Sequence, residues 1–292
     1  MDDAAGSTGA PDGRSWSDRA RGMQLYHTFE LPDGTVVPGF FDLRKAVRRL
    51  PIPASLAGKR CLDVASATGF FSVEMARRGA AEVVSVDIED PTRWDWQGPP
   101  GVNDARRWGQ GLLRQGFDLV REAYGVEIER RDLSLYELSP SELGTFDFVF
   151  MGNILLHLGD PGRGLRAVRS IVGPGGELLS FEPISFPLTV LRPLTPAAQL
   201  WPTDEATWWR HNLKGYKRLI EAGGFRIIDS GRPFLVPLGD AHPRWPSTVP
   251  RTLREWTYWV FTRQLGTTST WVRAVPRALE GEGGGASVDV PG

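Results

Sequence analysis

Short apolar runs alternate along this chain with amphipathic stretches that glycine closes. RCLDVA (60–65) reads as a strand entering a turn at Gly69. FFSVEMARRG (70–79) sets Phe71 and Met75 four apart and predicts a helix stopped at Gly79. AEVVSVDI (81–88) predicts a second strand ending at Asp87, and VEIERRDL (126–133) a third ending near Asp132. FDFVFMG (146–152) is a fourth. A helix from about Pro161 to Val172 is closed by GPGG, and ELLSFEP (177–183) is a fifth strand. LKGYKRLIEAGGF (213–225) is an amphipathic helix with Asn212 as its cap and Gly223 and Gly224 as its stop. FRIIDSG (225–231) and TSTWVRAVP (268–276) are the sixth and seventh strands. The alternation predicts an α/β fold with a doubly wound, mostly parallel, seven-stranded sheet, whose ligands sit at the carboxyl ends of the strands. Asp63, Asp87, Asp132 and residues 151–157 fall at such ends and should converge on one crevice.

The polar ends, 1–20 and 279–292, read as flexible tails. Residues 21–55 precede the first strand as a cap, and 56–278 form the main domain. Within it, 184–214 interrupts the alternation and reads as a lid over the crevice.

Composition narrows the function. The chain has 292 residues, of which 41% are hydrophobic, which supports a sizeable core and argues against global disorder. A net charge of −1 disfavours a general nucleic-acid binder. Cys61 is the lone cysteine, so no disulfide framework or zinc cluster of cysteines forms within the chain. The polar N-terminus shows no signal peptide, and no segment reaches the roughly 18 apolar residues of a membrane span. A cytoplasmic protein is expected. The run RKAVRR (44–49) pairs Arg44 with Arg48 and Lys45 with Arg49 on helical faces. It is either a solvated face or a clamp for an acceptor's phosphates.

The chemistry lies at the strand ends. Asp63-Val-Ala-Ser-Ala-Thr-Gly69 is built of small residues, as a backbone approaching a cofactor closely requires, and the helix beyond it aims amides at a ligand. Asp63 can accept from a ligand amine or from the loop, Asp87 can hold both ribose hydroxyls, and Asp132 can meet an adenine amino group. His157 is the candidate general base, and Glu182 a second. The competing reading of His157 is a turn histidine bonded to backbone. Acidic spacing suggests no metal site. Tyr26 and His27 in the cap, and Trp208, Trp209 and His211 in the lid, are candidates for the acceptor side, against plain packing between lid and core.

The order LDVASATG, VVSVDIED, RRDL, FDFVFMGNILLHLGDP and GPGGELLSFEP, covering roughly residues 55–230, resembles the class I methyltransferases that use S-adenosylmethionine. The resemblance implies their Rossmann-like fold. It implies cofactor contacts from Asp63, Ala65, Ser66, Ala67, Gly69 and Phe70 around the methionine portion. Asp87 and Ile88 would hold the ribose, Asp132 and Leu133 the adenine, and Gly152 and Asn153 the sulfonium side. The runs YHTFELPDGTVVPGFFDLR, LAGKRCLDV and RGAAEVVSVDIEDPTRWDW are similar to the subfamily containing the wobble-uridine tRNA carboxymethyltransferase. That enzyme carries a tyrosine before its histidine where this chain has Leu156, so ordinary S-adenosylmethionine is the expected cofactor. This cofactor has no phosphate. Ala65 and Ala67 are therefore expected at negative φ, with Gly69 alone using glycine's freedom.

The resulting expectation is methylation of a small molecule at a hydroxyl of a sugar, a nucleotide sugar or another natural-product intermediate. No membrane partner is expected, and a homodimer is among the arrangements considered. The alternatives are a tRNA wobble-uridine enzyme and a methyltransferase-like protein that binds without catalysis.

Overall fold

The structure is a computed structural model, and it describes residues 13–23, 25–98, 112–201, 206–242 and 266–278. One mixed sheet organises the chain. Its strands are β1 (Arg60–Val64), β2 (Glu82–Asp87), β3 (Glu129–Asp132), β4 (Phe146–Gly152), β5 (Val172–Pro183), β6 (Phe225–Ser230), β7 (Phe234–Val236) and β8 (Thr267–Pro276). The order is β3-β2-β1-β4-β5-β8-β6, with β7 also paired to β8. Neighbours from β3 to β5 are parallel, and β8 runs antiparallel to β5, β6 and β7. The seven expected strands are present. The eighth, β7, is three residues long and too short to announce itself by periodicity.

The helices are α1 (Phe70–Arg77), α2 (Leu112–Tyr124), α3 (Pro161–Ile171) and α4 (Leu213–Ala222). Gly69 opens α1 at φ 79, and Gly79, at φ 80, follows its end. Phe71 of α1 stacks on Phe150 of β4 with centroids 3.7 Å apart. Burying such a ring contributes roughly 1.5–3 kcal/mol. Asn212 caps α4, its Oδ1 accepting from the Gly215 amide at 2.7 Å. Sequence periodicity left residues 97–125 unassigned, yet α2 lies there and packs on the cap. An added Cβ at its Gly116 would stand 2.5 Å from Leu25 Cδ2, so the glycine that weakens the helical signal permits the close approach. GPGG is not a terminator: β5 runs through Gly173–Gly176, with a register shift opposite Phe146–Phe148.

Around this core, Trp16–Ala20, inside the expected tail, form a short helix with Trp16 and Ala20 buried and Arg19 paired to Glu122 at 2.7 Å. The second expected tail, 279–292, lies outside the described residues. In the cap, Leu25–His27 pairs with Gly39–Phe41. RKAVRR does not form two helical faces. Only Ala46–Arg49 is helical, and it is a 3-10 turn, in which positions four apart do not align. Arg44 is committed to Asp42 at 2.7 Å, and Arg49 lies over the Phe234 ring. In the lid, Ala198–Leu200 pairs antiparallel with Trp209–His211 after a helix at Phe186–Leu191. No described helix is long and apolar enough to cross a membrane.

Candidate functional site

Parallel pairing of β1, β2, β3 and β4 brings their carboxyl ends to one edge of the sheet. Asp87 and Asp132 are direct register partners, and Asp63 sits between Ser85 and Phe150. The loop after β1 enters this edge with its backbone twisted. Ala65 has φ 58 and Ala67 φ 48, so the expectation of negative φ at both alanines is overturned. The reason is geometric: the Asp87 Oδ2 accepts from the Ala67 amide at 2.6 Å, and Ser66 donates its amide to Val86 O at 3.2 Å. These bonds turn the chain back over β2. Gly69 does need its freedom, because an added Cβ would also meet the Phe117 ring at 2.7 Å.

Each acid has a defined setting. Asp63 is buried, accepts from Ser72 Oγ at 2.6 Å, and is pushed up to about 7 by burial. Asp87 binds the Ala67 amide through one oxygen and the Ile88 amide through the other, and burial raises it. Each carboxylate oxygen has a second lone pair, so ribose hydroxyls can still be accepted. Asp132 is gripped by Arg93 at 2.8 and 2.9 Å and takes the Glu89 amide at 3.1 Å. The Leu133 amide bonds Asp87 O at 3.0 Å. Phe70 is buried against His27, with ring centroids 5.7 Å apart. At the end of β4, Gly152 leads into Asn153, which has φ 53 and a buried Oδ1 with no donor among the described residues. An orphan acceptor beside a left-handed loop and a ribose-competent carboxylate fits S-adenosylmethionine, which offers ammonium and hydroxyl donors.

Across this edge lie the candidate bases. His157 Nδ1 stands 2.6 Å from Ala206 O of the lid. A carbonyl only accepts, so Nδ1 donates this bond and carries a proton. Glu182 is buried on β5, and its Oε1 accepts from the amides of Ile154 and Leu155 at 2.9 and 3.0 Å. It therefore staples the turn that holds His157, and burial pushes it up to about 8.

Cap and lid close the remaining sides. The Tyr26 hydroxyl is driven well above its usual value by burial and by the charges of Asp87 and Glu182, with Arg210 opposing, so these four groups share one neighbourhood. His27 is buried with Nδ1 3.3 Å from Thr68 Oγ1, and burial lowers it to about 3. It is a neutral packing partner of the loop. Trp208 donates its Nε1 to Asp95 O at 2.6 Å and its amide to Leu156 O at 2.7 Å. Gln97 bonds the carbonyls of Trp201 and Thr207. Asp95 and Gln97, in a segment where Trp94 stacks on Trp96, thus tie that segment to the tryptophans of the lid, and sequence reasoning passed them over. Trp209 Nε1 is buried without a partner among the described residues. His211 is lowered to about 4 by burial and so is neutral near pH 7. Arg210 lies over Trp201 at 4.9 Å. Arg130 was also missed. Strand alternation in ERRD turns it inward, and its Nη1 reaches Ser66 Oγ at 3.1 Å and Ala67 O at 3.0 Å.

A family described as a methyltransferase domain matches residues 40–230. The chain belongs to that family. S-Adenosylmethionine is its cofactor. Among curated proteins, this methyltransferase is 33% identical over 140 residues to a ubiquinone biosynthesis O-methyltransferase of Xanthomonas euvesicatoria, covering 47% of this chain and 49% of that protein. It is 30% identical over 172 residues to the protein of that name from Hahella chejuensis, covering 54% and 63%. The chain spans about half to three fifths of the length of these relatives. Among solved structures, the [4+2]-cyclase SpnF superposes with a TM-score of 0.50 at 16% identity, over 80% of this chain and 79% of that one. That likeness concerns the fold, and a fold does not decide the reaction.

Proposed function

We propose that this methyltransferase transfers a methyl group from S-adenosylmethionine to a hydroxyl of a small molecule, with His157 as general base. The observation that carries the reading is the bond from His157 Nδ1 to Ala206 O, which fixes the ring by that side and, in the neutral imidazole, makes Nε2 the basic nitrogen. Methyl transfer is an in-line displacement at sulfonium, so positioning supplies much of the rate. The base then removes the proton that the hydroxyl loses as the carbon–oxygen bond forms. Glu182 acts through its grip on the 154–155 amides. Trp209 Nε1, a buried donor without a partner among the described residues, suits an acceptor oxygen. The relatives' name, an O-methyltransferase, supports oxygen as the acceptor atom. A sugar, a nucleotide sugar or another natural-product intermediate is our narrower choice of acceptor, in a cytoplasmic setting.

The subfamily of the wobble-uridine tRNA enzyme supplies the rival acceptor. It needs a basic surface, and two arginines of RKAVRR, Arg44 and Arg49, are engaged with Asp42 and Phe234. The test is incubation with methyl-labelled cofactor and, in separate reactions, phenolic intermediates, nucleotide sugars, glycosylated natural products and bulk tRNA. Label in a small molecule, lost in His157→Ala, is expected. Label in tRNA alone refutes the proposal.

A further inference from the structure

Ala65 and Ala67 hold the left-handed conformation, at φ 58 and φ 48. An L-residue placed there brings its Cβ against the following carbonyl oxygen, so a contact from outside the loop has to maintain it. Around Ala67 the contacts come from two opposite charges. The Ala67 amide donates to Asp87 Oδ2 at 2.6 Å, and its carbonyl accepts from Arg130 Nη1 at 3.0 Å. The same nitrogen donates to Ser66 Oγ at 3.1 Å, which also accepts from Ser85 Oγ at 2.6 Å. The Arg130 side chain is 2% exposed, with Nε 3.5 Å from Glu89 Oε1 and Nη2 buried without a hydrogen-bond partner among the described residues. Its guanidinium lies 4.5 Å over the Phe117 ring, and that ring also closes on Gly69. The left-handed residues Ala67 and Gly69 thus rest on one arginine–phenylalanine pair.

We propose that Arg130 is a positioning residue for the cofactor: together with Asp87 it grips Ala67 by carbonyl and amide and holds the left-handed turn that carries the loop backbone to S-adenosylmethionine. The inference rests on the cofactor reading of the site. In this chain a buried cation maintains a conformation that glycine adopts unaided.

Arg130→Met keeps an unbranched apolar stem on Phe117 and removes the buried charge. Two quantities are measured: the Kd for S-adenosylhomocysteine by calorimetry, and hydrogen exchange at the Ala67 amide in ligand-free protein. Arg130→Met is expected to weaken binding about tenfold, the factor that matches the strain released when one left-handed residue relaxes. It should also speed exchange at Ala67, while the unfolding midpoint stays or rises as an incompletely paired buried charge is lost. Adding Ala67→Gly should restore affinity to within a few-fold, because glycine holds the turn without the clamp. Arg130→Lys, with a single point charge, should fall between; it serves the same purpose should the methionine variant fail to fold. An arginine that only supports the fold would lower the midpoint and show no rescue by glycine. Tight binding by both Arg130 variants, or a loss that Ala67→Gly does not recover, overturns the proposal. Absence of binding to the wild-type protein refutes the cofactor reading instead. In that case the exchange experiment still decides the clamp, and an unchanged Ala67 rate in Arg130→Met overturns it.

Discussion

Replacing Glu182 by glutamine should make the protein more stable, and the gain should depend on pH. Glu182 is 3% exposed on β5 and is raised from its ordinary 4.5 to about 8 by burial, an effect that the amides of Ile154, Leu155 and Leu156 and the charge of Arg210 only partly oppose. The sign follows from proton counting. Below pH 4.5 both the folded and the unfolded chain keep the proton, and the group adds no penalty. Between 4.5 and 8 the unfolded chain has released the proton that the folded chain retains, so stability falls as pH rises. Each unit is about 1.4 kcal/mol, so the penalty is about 3 kcal/mol at pH 7 and reaches a ceiling of about 5 kcal/mol at pH 8. Glu182→Gln removes the titration and keeps an amide oxygen to accept from Ile154 and Leu155, now at 2.9 and 3.0 Å. Urea unfolding of both proteins from pH 4.5 to 8 reads the difference directly. The curves should meet near pH 4.5 and separate in favour of glutamine as pH rises. Asp63, raised to about 7, adds a slope of the same sign to both proteins and cancels in the comparison. A gap that is independent of pH, or one that favours the wild type at pH 8, refutes the reasoning.

Three other perturbations probe the same edge. His157→Ala should lower kcat by roughly 10²–10⁴ while the S-adenosylhomocysteine Kd, measured by calorimetry, holds; an unchanged kcat removes it as base. Asp87→Asn turns one oxygen into a donor facing the Ala67 amide, or else leaves that amide without its charged partner, and should weaken cofactor binding at least tenfold by the loss of about 1.5–3 kcal/mol per charge-assisted bond. Ala65→Gly should raise stability by roughly 0–1.5 kcal/mol in urea melts, since relief of about 1–2 kcal/mol of left-handed strain outweighs glycine's extra freedom in the unfolded chain, about 0.4–1 kcal/mol. A clear loss would mean that the alanine methyl group packs usefully.

Where hydrophobic period and strand length agree, the sequence is legible. The apolar runs ending at Asp87, Gly152 and Pro183 became β2, β4 and β5, and pairing between parallel neighbours then brought the acids to one edge. Less legible was anything decided by a contact distant in sequence. Gly116 carries no signal of its own, and its place inside α2 is explained by the close approach to Leu25. RKAVRR reads as two charged faces until Asp42 and Phe234 claim Arg44 and Arg49. Asp95 and Gln97 carry no motif, and their ties to the lid exist because the Trp208 ring nitrogen reaches Asp95, and the carbonyls of Trp201 and Thr207 reach Gln97, from more than a hundred residues away. Trp208 and Trp209 were visible as aromatic candidates, but which of them finds a partner for its ring nitrogen depends on Asp95.

The alanine loop shows why composition misleads at a site of this kind. Small residues in LDVASATG suggested a relaxed backbone, on the premise that a residue without special conformational freedom occupies an ordinary φ. A loop conformation is instead set by the sum of its bonds. Strain of about 1–2 kcal/mol at each left-handed alanine is smaller than the charge-assisted bonds that Asp87 and Arg130 make to Ala67, each worth about 1.5–3 kcal/mol. Ala67 is tolerated because the acid at the end of β2 and the arginine inside β3 are close enough to hold it. The same coupling makes Asp87 answerable to two demands. It has to keep one lone pair on the loop and present another to the ribose, so substitutions there should damage loop geometry and cofactor affinity together, whereas Arg130 acts on the cofactor through the loop it grips.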